Sequence, residues 1–123
     1  MNKVTIVIPN WNGKEYLRKC LDSLMSQSIG QVPVIVVDNG SEDGSPELVK
    51  KEYPWVQLIC IDQNYGFCKA VNTGIRAAET NYVILLNNDI VADREFVKYL
   101  LLRAEENPRL FSCQSKMLQM DHP

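Results

Sequence analysis

The sequence holds a single histidine, His122, next to its last residue. A buried histidine base and a histidine-containing metal cluster are thereby nearly excluded. Positive charge is also scarce: 13 Lys and Arg stand against 15 Asp and Glu, a formal net charge of -2. Without a basic footprint, nucleic acid is not an expected partner. No apolar run approaches the ~18 residues that span a bilayer. The opening MNKVTIVIP has neither the length nor the flanks of a signal peptide. The expected setting is cytoplasmic, with peripheral attachment at the inner face of a membrane left open. Cys20, Cys60, Cys68 and Cys113 show no C-x-x-C spacing. They are read as small buried hydrophobes in a reducing compartment, not as zinc ligands or disulfide partners. Two phosphate cradles are missing as well: there is no G-x-G-x-x-G after the first apolar run and no G-x-x-x-x-G-K-[ST] anywhere.

What the chain does have is alternation. At 123 residues, 46% hydrophobic and 23% charged, it has the size and composition of one globular domain. Apolar, β-branched runs predict strands at Val4–Ile8, Val32–Val37, Val56–Ile61 and Tyr82–Leu86, and a fifth strand is expected to begin within Leu110–Gln114. Between them, helical patterns follow Asn12-Gly13, Ser45-Pro46, Gly66 and Asp93. Asn12 with Glu15 resembles a capping box, and Leu17, Cys20, Leu21, Leu24 and Met25 form one apolar stripe. Ser45 reads as an N-cap before Pro46, and Asp93 as the cap of the last helix. Strand–helix alternation implies a Rossmann-like, mostly parallel α/β sheet with helices on both faces.

In such a sheet all carboxyl ends of the strands lie on one edge, where ligands bind. That edge collects Pro9-Asn10-Trp11-Asn12-Gly13, then DNGSEDGS from Asp38, then Asp62-Gln63-Asn64-Tyr65-Gly66, then Asn87-Asn88-Asp89. The amino ends are bland by comparison, with Gln31-Val32-Pro33, Pro54-Trp55 and Thr80-Asn81. Taken singly, each loop is an ordinary turn, Trp11 is a packing residue or a stacking platform, and Asn72 is a solvated helix position. Gly66 is expected at positive φ. Four polar loops on one edge point to a ligand. A receiver-type magnesium site would need an acidic pair after the first strand, where this chain has Pro9-Asn10.

The segments VTIVIPNWNGKEYLRKCLDSLMSQ, VIVVDNGSEDGS, NYGFCKAVNTGIRAA and YVILLNNDIV, in that order, resemble the GT-A glycosyltransferases of family 2 through nearly the whole chain. The NYG and LLNND variants look most similar to rhamnosyltransferase-like members. The resemblance implies that Pro9, Asn10 and Trp11, together with Asp38, hold the nucleotide's base and ribose. It implies that Asn64, Gly66, Lys69 and Asn72 contact the nucleotide side or shape the pocket. The family's D-x-D falls on Asn87, Asn88 and Asp89, so Asp89 would bind Mg2+ or Mn2+ bridging the donor's diphosphate. Asn87 in place of the first acid supplies an acceptor oxygen but no charge.

The implied reaction is transfer of a sugar, with inversion, from a nucleoside-diphosphate sugar to a glycan or lipid-linked acceptor. Such a transfer needs a general base. Nothing after Asp89 matches the family's base, since Asp93 reads as a cap and Asp121 lies in the tail. Residues 1–123 are therefore expected to be one nucleotide-sugar-binding domain without the acceptor-binding half. The competing expectation is a non-catalytic scaffold that kept the fold.

Overall fold

The computed structural model describes residues 3–109 and 112–118. Four strands, β1 (Val4–Asn10), β2 (Val34–Asn39), β3 (Gln57–Ile61) and β4 (Tyr82–Leu85), form one parallel sheet in the order β3-β2-β1-β4. Register is set by pairs such as Ile6 with Val34, Ile35 with Gln57, and Val4 with Tyr82. The connections are α1 (Lys14–Leu24), α2 (Ser45–Glu52) and α3 (Phe67–Ala77), with α4 (Phe96–Glu106) after β4. The strand order reverses at β1, with β2 on one side and β4 on the other, which makes the β1 carboxyl end the expected crevice.

Alternation along each strand decides which helix covers which face. Val4, Ile6, Ile8, Val34 and Val36 meet Leu17, Leu21 and Leu24 of α1, Leu48 and Val49 of α2, and Val97 of α4. Val7, Ile35 and Val37 meet Ala70 of α3 on the opposite face. The β-branched run Val4–Ile8 is buried throughout because both faces are covered. Gly74 explains how α3 lies so close to the sheet, since a Cβ there would collide with Val7 and press on Val37.

The strands and helices fall where the sequence predicts, and several local details do not. Asn12 caps nothing: its φ is 49°, α1 begins after Gly13, and its Oδ1 accepts the Glu42 N–H at 2.8 Å. Ser45 is the first residue of α2, not its cap. The Asp43 carboxylate does that work at both helices, accepting from Lys14 N at 2.9 Å and from Ser45 N at 3.0 Å. Asp93 sits one turn ahead of α4, with its Oδ1 on the Glu95 N–H at 2.8 Å. Met25 leaves the apolar stripe and is exposed. Of the cysteines only Cys20 is buried; Cys60, Cys68 and Cys113 are exposed thiols. The start of the expected fifth strand, Leu110 and Phe111, lies outside the described residues, as does Asp121, while Ser112 to Leu118 form no regular element.

Candidate functional site

At the carboxyl edge, the end of β1, the end of β2 and the turn after β4 bring side chains into one hydrogen-bonded chain. Asn10 ends β1 and Asp38 stands beside it in β2, paired in register. Both point toward the α1 face, and both are 2% exposed. Asn10 Nδ2 donates to Asp38 Oδ1 at 3.0 Å, and Asn88 Nδ2, from beyond β4, donates to Asn10 Oδ1 at 2.8 Å. Three strand ends are thus joined through the two ends of a single amide. Gly13 permits this approach, because a Cβ there would overlap Asn88 Nδ2 and crowd Asn10 Oδ1.

Asp38 is a buried carboxylate held by donors, which is how a burial cost for charge is offset. Besides Asn10, the Ser41 Oγ–H donates to its Oδ1 at 2.7 Å and the Ser41 N–H to its Oδ2 at 2.8 Å. A carboxylate offers about four lone-pair sites, so three donors leave it little more than one for a ligand. Ser41 Oγ in turn accepts the Asn12 N–H at 2.8 Å. The DNGS turn is therefore built around its aspartate, and Ser41 and Asn12, placed on this edge by the sequence without a role, join the chain. The signal for Ser41 was present as Asp and Ser three apart in a glycine-containing turn. Its read-out depends on Asn12 from another loop, which sequence spacing does not reveal.

Asn87 and Asp89 are exposed and Asn88 is half-buried. No hydrogen bond engages the Asp89 carboxylate among the described residues, so it is free to meet a cation. Beneath the turn, Cys20 Sγ lies 3.9 Å from the Asn87 carbonyl oxygen. Burial pushes the Cys20 thiol up to about 12, with the Asp89 charge adding to the rise. Asp89 also lines one end of a cavity of about 660 Å³ between α4 and residues 112–118.

The α3 side is a separate cluster. Asn64 Oδ1 accepts the Gly66 N–H at 2.8 Å, and Gly66 takes φ 97°, the positive value expected of it. Lys69 Nζ lies 6.0 Å from the centre of the Tyr65 ring. Asn64, Lys69 and Asn72 are exposed, and among the described residues none hydrogen-bonds to the Asn10–Asp38–Asn88 chain. Trp11 is 53% exposed, so the packing reading of this residue does not hold. Pro9 is half-buried within β1. A hydrogen bond between the two sides runs through Asn39, which the sequence placed in the edge loop without a role, and whose Nδ2 donates to the Gly66 carbonyl at 3.1 Å. Its Oδ1 is buried without a partner, and leaving such a group unpaired costs about 1–3 kcal/mol.

A four-stranded parallel sheet with helices on both faces and its order reversing at β1 is an α/β fold of the GT-A type. The family model described as Glycosyl transferase family 2 matches residues 5–121, and the chain belongs to that family. Glycosyltransferase GlyA of Streptococcus pneumoniae is 34% identical over 107 residues, which are 85% of this chain and 15% of that protein. A teichoic acid poly(glycerol phosphate) polymerase of Staphylococcus epidermidis is 33% identical over 105 residues, 82% of this chain and 14% of that protein. Among solved structures, Staphylococcus aureus TarS in complex with UDP superposes with a TM-score of 0.76 at 25% identity, covering 85% of this chain and 32% of that one. The mannosyltransferase PcManGT from Pyrobaculum calidifontis, in complex with GDP-Man and Mn2+, gives 0.75 at 25% identity, covering 80% and 31%. The chain thus spans only a minor part of these relatives' length. No helix among the described residues is long and apolar enough to cross a membrane.

Proposed function

We propose that this chain is the donor-binding part of an inverting glycosyltransferase that takes a nucleoside-diphosphate sugar and serves a glycan or lipid-linked acceptor. The observation that carries the reading is the Asn88–Asn10–Asp38–Ser41 chain at the sheet's reversal point. It presents acceptor oxygens to a base or ribose at one end and an unencumbered acidic turn at the other. The nucleotide ligands of the TarS and PcManGT structures support the same choice of donor class.

The residues present fit a divalent ion. Among the described residues no group of three His, Cys, Asp or Glu side chains could enclose a metal. Mg2+ and Mn2+ need no such cage, since one or two carboxylates plus substrate phosphates and water suffice. Asp89 would hold the ion, which would act as a Lewis acid on the charge of the departing diphosphate. Asn87 adds an amide acceptor for a hydroxyl but no charge. Asp38 and Asn10 fix the nucleoside, Trp11 offers an exposed ring face for the base, and Pro9 carries the backbone beneath it. Asn64, Gly66, Lys69 and Asn72 close the α3 side. We assign residues 1–123 to one donor domain, and the general base and acceptor-binding residues to the portion of the relatives that this chain does not span. The location we assign is cytoplasmic, at or near the inner membrane face, where a lipid-linked acceptor would be met. No structural observation favours the scaffold reading over this one.

Titration of the chain with UDP, dTDP and GDP, each with and without Mn2+, tests the proposal. At least one nucleotide should bind more tightly with the metal. Asp89→Asn should remove the metal-dependent part and leave the circular dichroism unchanged. Failure of all three nucleotides to bind under either condition would reject donor binding.

A further inference from the structure

Asn39 ends β2, immediately after Asp38, and the pleat sends the two side chains to opposite faces of the sheet. Asp38 enters the chain with Asn10, while Asn39 turns to the α3 face, where its Nδ2 donates to the Gly66 carbonyl at 3.1 Å. Its Oδ1 is the one buried side-chain oxygen or nitrogen without a partner among the described residues. Flipping the amide would not help, because it would set that oxygen against the Gly66 carbonyl.

Within loop 62–66, Asn64 Oδ1 holds the Gly66 N–H, while the bond from Asn39 is the one from β2 to the Gly66 carbonyl. Gly66 has φ 97° and ψ 170°, a region that glycine alone occupies without strain, so side-chain sterics at Gly66 do not fix its orientation. Helix α3 starts without a side-chain cap and without an acidic residue in its first turn. Its first backbone bond, Ala70 N–H to the Gly66 carbonyl, is long at 3.4 Å, and the same carbonyl also accepts from Asn39. Next door, a Cβ on Gly40 would run into the Gln63 backbone, so the end of β2 and the loop lie in direct contact. An amide with one end satisfied and the other buried unpaired is a poor stabiliser. An apolar side chain of the same shape would serve the fold at least as well, since Ala70 would still satisfy the Gly66 carbonyl.

We infer that Asn39 is a positioning residue for the donor site: its amide holds the Gly66 carbonyl, and so sets loop 62–66 and the first turn of α3 where Asn64, Lys69 and Asn72 can meet the nucleotide. This rests on the donor-binding reading, and it makes the last two residues of β2 the link between the two clusters. The fold tolerates the unpaired oxygen because the bond it accompanies orders the loop.

The test uses the full chain in two arms. Without ligand, amide hydrogen exchange across residues 63–70 is compared between wild type and Asn39→Leu, together with their Tm. With UDP and GDP in the presence of Mn2+, affinity is measured for the same proteins and for Asn39→Asp, which cannot donate when ionised. Loss of one positioning hydrogen bond should speed exchange across 63–70 and weaken nucleotide binding, each by about tenfold. The Tm of Asn39→Leu should hold or rise, and Asn39→Asp should weaken binding in the same direction. Unchanged exchange in Asn39→Leu overturns the inference, as does a fall in Tm that parallels the loss of affinity. A wild type that binds neither nucleotide defeats the donor reading alone, and the ligand-free arm still decides whether Asn39 orders the loop.

Discussion

Asp43 shows how one side chain can serve two helices that are distant in sequence. Its carboxylate accepts from Lys14 N at the start of α1 and from Ser45 N and Oγ at the start of α2. Both helix N-termini would otherwise leave donors unpaired and facing one another across the edge. Partial burial alone would raise the Asp43 carboxyl, but the bonds from Ser45, Lys14 and the local backbone outweigh it and hold the group below its ordinary value of 3.8. A depressed carboxyl stabilises the fold above its unfolded-state value, and that contribution is lost as pH falls through the folded value. Asp43→Ala should therefore lower stability at pH 7 by about 1–2 kcal/mol, measured by urea unfolding. The gap between variant and wild type should shrink steadily below pH 3.8. A gap that stays constant to pH 2 would mean that the carboxylate's charge is irrelevant to capping.

Among the elements, α3 combines poor helix propensity with a demanding position. Gly74, Val71 and Thr73 make it a weak helix by composition. Packing decides otherwise: Ala70 is fully buried on Val7, Ile35 and Val37, and Gly74 admits the sheet where a methyl would strike Val7. At an exposed helix position, glycine to alanine stabilises by about 1 kcal/mol. Here the sign should reverse, with Gly74→Ala costing about 1–3 kcal/mol from overpacking, read from thermal or urea unfolding. A stabilised Gly74→Ala would mean that the helix can lift off the sheet at no cost. The elements were legible in the sequence because their periodicities are local. The β-branched runs gave β1 to β4 to within two residues, and the stripe on α1 gave its buried face. The caps were not legible, because Asp43 reaches α1 from another loop and Asn12 is engaged by Glu42, 30 residues away. Cys60, Cys68 and Cys113 were misjudged because thiols sort by position in the fold and not by their own modest hydrophobicity.

For the whole molecule, the edge on which the site lies followed from strand–helix alternation alone, since a parallel sheet puts every strand's carboxyl end together. Asn10, Asp38 and Asn88 do meet there. The roles of Ser41 and Asn39, within the edge loop DNGSEDGS, were missed because they depend on contacts made by the folded chain. Global opening can be read from Cys20, which is fully buried between α1 and the turn after β4. With its thiol pushed up to about 12, it stays protonated and enclosed at pH 8. Iodoacetamide should label Cys60, Cys68 and Cys113 first in the native protein, and Cys20 only at a rate that tracks global unfolding. Mass spectrometry of peptides after timed quenching would separate the two classes. Early labelling of Cys20 would show that α1 opens locally.

The bond from Asn88 to Asn10 spans 78 residues of chain. During synthesis, Asn10 and Asp38 leave the ribosome long before the strand that brings Asn88 back beside them. A nascent chain that has emerged only as far as α3 holds the residues of three strands, but its carboxyl edge lacks Asn88. Topology alone therefore delays completion of this edge until the fourth strand docks, and on the donor reading proposed above, nucleotide binding would report that docking.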